Sequence, residues 1–335
     1  MTTAAPPRDA SSAAPGWQRE LADAIRDPAE RADLRGIDAA ARPAAAAGFP
    51  LLVPRSFAAR MRRGDPRDPL LLQVWPQADE DTPAPGWSSD PLAEADALAA
   101  PGLVHKYRGR ALLLLTGGCA INCRYCFRRE FPYAEHGATR RGVAAGLAAI
   151  AADESLSEVI LSGGDPLVVD DGFLAEVLAR LDEIPHLRRL RIHTRLPVVL
   201  PARVTAGLVD VLRDSRLARV IVTHANHPHE IDDSVAAAVR ALAAAPAMML
   251  NQAVLLAGVN DSAATLAALA ERLVEVGVAP YYLHLLDRVR GAAHFEVPEA
   301  RGLEIHRQLQ DSLPGYAVPR LVREVPGEPA KVWIR

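Results

Sequence analysis

The chain has 335 residues, half of them apolar and 24% charged, a globular composition that excludes a disordered or collagen-like chain. A net charge of −3 and a pI near 6.4 argue against a nucleic-acid binder, which carries a basic face. Only 5% of residues are aromatic, so length, rather than bulky side chains, has to supply the core.

Residues 1–16 are rich in Ala, Pro and Ser and read as a disordered tail without the apolar core of a signal peptide. Residues 17–98 read as a helical N-terminal region, with helices over Gln18–Ile25, Pro28–Leu34 and Ser56–Arg62 between Pro-rich breaks and no evident chemistry. From Arg110 the pattern changes. Apolar runs at 111–116, 158–164, 188–194, 218–224, 248–256 and 280–287 predict strands. Helices are predicted near 140–152, 172–182, 202–213, 231–244, 262–275 and 298–312. Six successive strand–helix units require a parallel sheet with right-handed crossovers. The fold class is therefore α/β, a partial (β/α)6 barrel over 99–315 with a helical N-terminal extension and a short C-terminal segment, 316–335. Barrel chemistry sits at the C-terminal ends of the strands, where Cys119, Gly163 to Asp165, Thr194, Arg195, His224 and Asp287 fall. The longest uncharged run, Ala241 to Asn260, contains Pro246, Asn251 and Gln252 and reads as a helix end followed by a strand, not a membrane span. The expected protein is soluble and cytoplasmic, binding neither membrane nor nucleic acid.

Two residue counts carry more than the averages. The three cysteines, Cys119, Cys123 and Cys126, lie in GGCAINCRYCFRREF with Cys-x3-Cys-x2-Cys spacing. An odd, clustered set points to metal or iron–sulfur ligation in a reducing compartment. Three thiolates on a [4Fe–4S] cluster leave one iron free to chelate a small molecule. A zinc site completed by histidine is the alternative, although such sites usually pair two separated knuckles. The only lysines are Lys106 and Lys331 among 38 basic residues. Lysine, unlike arginine, can lose its proton and act as an amine nucleophile. Chance retention explains either lysine equally well.

CAINCRYC, with Tyr125 before the last cysteine, resembles the radical S-adenosylmethionine (SAM) signature. That resemblance implies a [4Fe–4S] cluster on Cys119, Cys123 and Cys126, and SAM cleaved on the open iron to an adenosyl radical. Gly163, Gly164 and Asp165 resemble the motif that binds the SAM amino group, although Gly-Gly-Asp-Pro alone reads as a turn. PGLVHKYRGRALLLLTGGC, LSGGDPL, RLPVVLPARVT, THANHPHEI, NQAVLLAGVND, PYYLHLLDRVRGAAHF and VPRLVREVPGEPAK resemble lysine 2,3-aminomutases over roughly residues 85–335. The end soon after Lys331 resembles the branch that makes β-lysine for elongation factor P (EF-P), not the longer clostridial type with its C-terminal zinc segment.

The resemblance implies that Lys331 holds pyridoxal 5′-phosphate (PLP), that Lys106 and Arg110 contact its phosphate neighbourhood, and that His224 and Gln252 lie near SAM. Arg128 is expected to bind the substrate carboxylate, with a bidentate grip. Asp287 and Glu324 are expected to hold the ε-ammonium of free L-lysine. Most relatives have arginine at 106 and aspartate at the second carboxylate position, so Lys106 and Glu324 depart from the pattern. Read as residues alone, Lys331 is a surface lysine, HKYRGR a solvated basic stretch, Asp287 a helix N-cap, and Glu324 a partner of Arg320 or Arg323. His227 and His229 read as a surface loop. Implied partners are a reductase or flavodoxin-type electron donor and, indirectly, a ligase and EF-P; a homo-oligomer is left open. Competing readings are a mutase of another amino acid, an electron-transfer iron–sulfur protein and a zinc-binding interaction protein.

Overall fold

A computed structural model describes residues 16–31 and 48–335; the expected tail over 1–16 lies outside the described residues except for Gly16, which begins a helix, and the expected helix beyond Arg31 also lies outside them. Ten strands form one sheet in sequential order. A meander of β1 (Leu98–Ala100), β2 (Leu103–Tyr107) and β3 (Arg110–Thr116) is antiparallel. From β3 onward the sheet is parallel through β4 (Glu158–Gly163), β5 (Arg189–Thr194), β6 (Ala218–His224), β7 (Ala247–Val254), β8 (Ala279–His284) and β9 (Arg320–Arg323). A short β10 (Val332–Trp333) returns antiparallel to β9.

The six expected strands and crossover helices are all present. Helices cover Arg140–Ala152, Asp171–Asp182, Ala206–Asp214, Asp233–Ala243, Ala263–Glu275 and Glu299–Ser312. Five of them start at a side chain that accepts a backbone N–H of the first turn: Thr139, Asp170, Thr205, Asp232 and Ser262. Such caps satisfy donors that a helix leaves open. The sheet has more strands than the sequence pattern suggested. β9 is a seventh parallel strand, and it carries Glu324 to the same rim as the other strand ends. The uncharged run at 241–260 divides between a helix and β7, and among the described residues no helix is long and apolar enough to cross a membrane.

The N-terminal segment differs from expectation. Its helices are short, Gly16–Ala22, Arg55–Ala58 and Pro69–Leu72, with a 3-10 turn over Pro28–Arg31. Pro-rich breaks stop each within about two turns. The segment nonetheless shares the barrel's core: Trp17, Ile25, Phe57, Leu70 and Trp75 belong to the same buried cluster as Leu113, Leu161 and Ile192. The buried Arg203 donates to the Leu167 and Val169 carbonyls and stacks on Trp17 at 4.6 Å.

Candidate active site

All the expected site residues border one cavity of about 490 Å³ at the C-terminal rim of the sheet. Cys119, Cys123 and Cys126 lie on the loop that leaves β3. Burial pushes the Cys119 and Cys126 thiols up, Cys126 to about 11, and the neighbouring sulfurs add to the effect. Three mutually repelling sulfurs favour a cationic centre that neutralises them. Arg195 Nη1 donates to Cys123 Sγ at 2.7 Å and is held from behind by Glu230 at 2.9 Å. Among the described residues no three His, Cys, Asp or Glu side chains converge closely enough for a single metal ion. A multi-iron cluster is a larger body and draws its thiolates from farther apart. The donor set fits such a cluster.

Gly163 and Gly164 close the end of β4. Gly163 has φ +130°, and a Cβ there would stand 2.2 Å from the Thr116 carbonyl oxygen; one at Gly164 would stand 2.1 Å from that of Gly118. These glycines therefore let the end of β4 approach β3 and the cysteine loop, and both border the cavity. Asp165 is also used internally. Its carboxylate accepts from Thr194 Oγ1 at 2.8 Å and from the backbone N–H groups of Leu167, Arg195 and Leu196. It ties β4 to β5 and borders the cavity. His224 Nε2 lies 3.0 Å from Tyr125 Oη, and burial, then Arg195, lowers its pKa to about 3, so the ring is neutral. Gln252 pairs with His224 across β6 and β7 and borders the cavity. His227 corrects the surface-loop reading: it is 8% exposed, and its Nδ1 accepts the His229 N–H.

On the other side of the cavity is a chain of alternating charges. Arg128 is buried, and Glu94 takes two of its donors, Nε at 2.5 Å and Nη2 at 2.9 Å. Arg128 Nη1 donates to Ser162 Oγ and the Gly163 carbonyl. Lys106 Nζ bridges Glu94 at 3.0 Å and Glu324 at 2.7 Å. Lys331 Nζ closes the chain on the other Glu324 oxygen at 2.5 Å. Burial alone would raise the Glu324 pKa, but Lys331 and Lys106 hold it well below the usual carboxylate range. The surface pairings considered for Glu324 are absent, since Arg323 pairs with Glu299 and Arg320 stacks on Trp333. Asp287 caps no helix, and its carboxyl accepts no hydrogen bond among the described residues. Arg110 stacks over Tyr107 at 4.6 Å beside it in the lining. His193 and His284 also border this part, each with a buried Nε2 lacking a partner. Such orphaned atoms, beside a primary amine and the basic Lys106 and Arg110, fit a polar, anionic cofactor.

The sequence reading missed Glu94, and with it Gln73 and Glu80. Gln73 donates to Glu230 and accepts from Arg195. Glu80 pairs with Arg124 and Arg129 of the cysteine loop. All three lie in the segment judged to carry no chemistry.

Residues 113–270 match the family described as Radical SAM superfamily. The L-lysine 2,3-aminomutase of Escherichia coli K12 is 49% identical over 319 residues, 94% of this chain and 93% of that protein. The Haemophilus influenzae protein of the same name is 47% identical over 94% of each chain. The chain belongs to the L-lysine 2,3-aminomutase family. The Clostridium subterminale member is 39% identical over 78% of this chain and 63% of its own length. As a radical SAM member of this aminomutase family, the protein is an isomerase that uses a [4Fe–4S] cluster and SAM.

Proposed function

We propose that the protein converts free L-lysine to β-lysine with PLP, and that the product serves the modification of EF-P through a separate ligase. The observation that carries the reading is a single cavity bordered by three cysteines and also by a primary amine with two carboxylates. A substrate with a carboxylate at one end and an ammonium at the other matches the alternating chain of charges, with Arg128 at one end and Glu324, beside Asp287, toward the other. Relatives named L-lysine 2,3-aminomutase at 49% and 47% identity over 94% of this chain support lysine as the substrate, and the EF-P role rests on the family resemblance alone.

In this reading the cluster and SAM supply a radical, and PLP carries the migrating amino group. The chain's own residues do the placing. Lys331 would hold PLP through its amine, and Lys106 and Arg110 would supply the positive charge for its phosphate. Lys331 Nζ and Lys106 Nζ each engage one Glu324 oxygen and keep that carboxylate ionised for the substrate ammonium. Holding both ends of the substrate fixes its third carbon, and positioning of this kind supplies much of a difficult barrier. Gly163, Gly164, His224 and Gln252 border the SAM side. A flavodoxin-type reductase would deliver the electron.

Protein reconstituted anaerobically and given SAM, PLP, dithionite and L-lysine should form β-lysine, and Cys123→Ala should abolish it. Equal turnover by that variant, or turnover of a different amino acid in preference to lysine, overturns the assignment.

A further inference from the structure

We propose that Glu94 is a positioning residue for the substrate carboxylate: it holds Arg128 so that a single guanidinium hydrogen is left to grip that carboxylate. The inference rests on the lysine reading above and adds a residue that neither the motifs nor the resemblance supplied. A guanidinium has five N–H donors. In Arg128, Nε donates to Glu94 at 2.5 Å and Nη2 to Glu94 at 2.9 Å, while Nη1 donates to Ser162 Oγ at 3.0 Å and to the Gly163 carbonyl at 3.2 Å. Only one Nη2 hydrogen remains uncommitted among the described residues. The forked grip expected of Arg128 is thus made within the protein, and its single free donor has a fixed direction.

Glu94 is well placed for this task. Its side chain is 3% exposed, and it borders the cavity. Asp90 accepts its backbone N–H at 3.0 Å. The same carboxylate meets Lys106 at 3.0 Å, so one anion separates two cations that would otherwise repel across the substrate's end of the cavity. Removing that anion frees Arg128 to rotate. A group that holds a binding residue from behind acts on the ligand through geometry. The alternative is that Glu94 occupies the place of the substrate carboxylate and is displaced by it. The two arrangements predict opposite signs.

The test is Glu94→Gln, with Glu94→Asp as a milder variant that keeps the charge. PLP-loaded protein is titrated with L-lysine and with 1,5-diaminopentane, which lacks the carboxylate, and the Kd of each is read from the cofactor's visible absorbance. The expected result for Glu94→Gln is lysine affinity at least tenfold weaker, with diaminopentane affinity within twofold of wild type. Glu94→Asp should show a smaller loss with the same discrimination. Tighter lysine binding would favour displacement and overturn the proposal. An equal loss for both ligands would reduce Glu94 to a purely structural role and overturn it as well. Wild-type protein that fails to bind L-lysine would remove the lysine reading itself, and the assignment of Glu94 with it.

Discussion

Asp287 borders the cavity beside Glu324, and no cation lies within ion-pair distance of its carboxyl among the described residues. Burial, then Glu324, pushes its pKa up to about 7, against the pull of Lys331 and Lys106. Between about pH 4 and pH 7 the folded protein therefore keeps a proton that the unfolded chain has released. Stability falls as pH rises through that window, and the full cost is present above it. Asp287→Asn should make the unliganded protein more stable than wild type at pH 8, by roughly 2–4 kcal/mol from the size of the shift. The difference should shrink toward pH 4, as read from denaturant midpoints at each pH. An arriving ammonium favours the ionised carboxylate, so lysine affinity should drop as pH falls below about 7. Asp287→Asn should bind lysine more weakly and lose that pH dependence. A wild-type affinity that is flat between pH 6 and 8 would show that Asp287 does not meet the ammonium.

At the scale of elements, loops and the irregular N-terminal segment build much of the site. Glu80 is almost fully buried and holds Arg124 at 2.5 Å and Arg129 at 2.7 Å, one on each side of Cys126. Removing one partner from a buried ion pair leaves an uncompensated charge and costs about 3–5 kcal/mol. Glu80→Gln should lose stability of that order at an unchanged denaturant slope. It should also bind less iron on reconstitution, because the loop that carries the thiols loses its anchor. Full iron content in a destabilised variant would restrict Glu80 to folding. Glu80 also shows where sequence reading stops. The strands and crossover helices were legible because alternating apolar runs and helical spacing are local signals. Cys119, Cys123, Cys126 and Lys331 stood out through rarity and spacing. Glu80 and Glu94 had neither advantage. They are two of many carboxylates in a stretch without periodicity, and their partners lie 44 and 34 residues away. Short β1, β2, β9 and β10 were missed because two to five residues form no pattern, and their pairing is decided by neighbours distant in sequence.

For the whole molecule, the central question is whether the N-terminal segment is an appendage or part of one cooperative body. The buried cluster that contains Trp17, Leu51, Phe57 and Trp75 continues into the barrel through Leu103, Leu113, Leu196 and Val199. Polar links cross the same boundary: Arg60 donates to the Val198 carbonyl at 2.7 Å, and Gln73 donates to Glu230 at 3.0 Å. A segment with helices of four to seven residues cannot persist alone, since isolated helices shorter than about 12 residues are marginal in water. Its order has to come from the barrel, and it in turn places Glu80, Glu94 and Gln73 against the site. This arrangement predicts a single unfolding event, and the distribution of tryptophans provides the probe. Three of the four, Trp17, Trp75 and Trp87, lie in the N-terminal segment, and the first two are buried. Their fluorescence reports that segment, whereas far-UV circular dichroism is dominated by the barrel helices and strands. The two signals should give superimposable urea transitions, the standard sign of one cooperative unit. A fluorescence midpoint clearly below the dichroism midpoint would show the segment detaching first. In that event iron retention and lysine binding should fall with the fluorescence rather than the dichroism, because the residues that hold the cysteine loop and Arg128 leave with the segment.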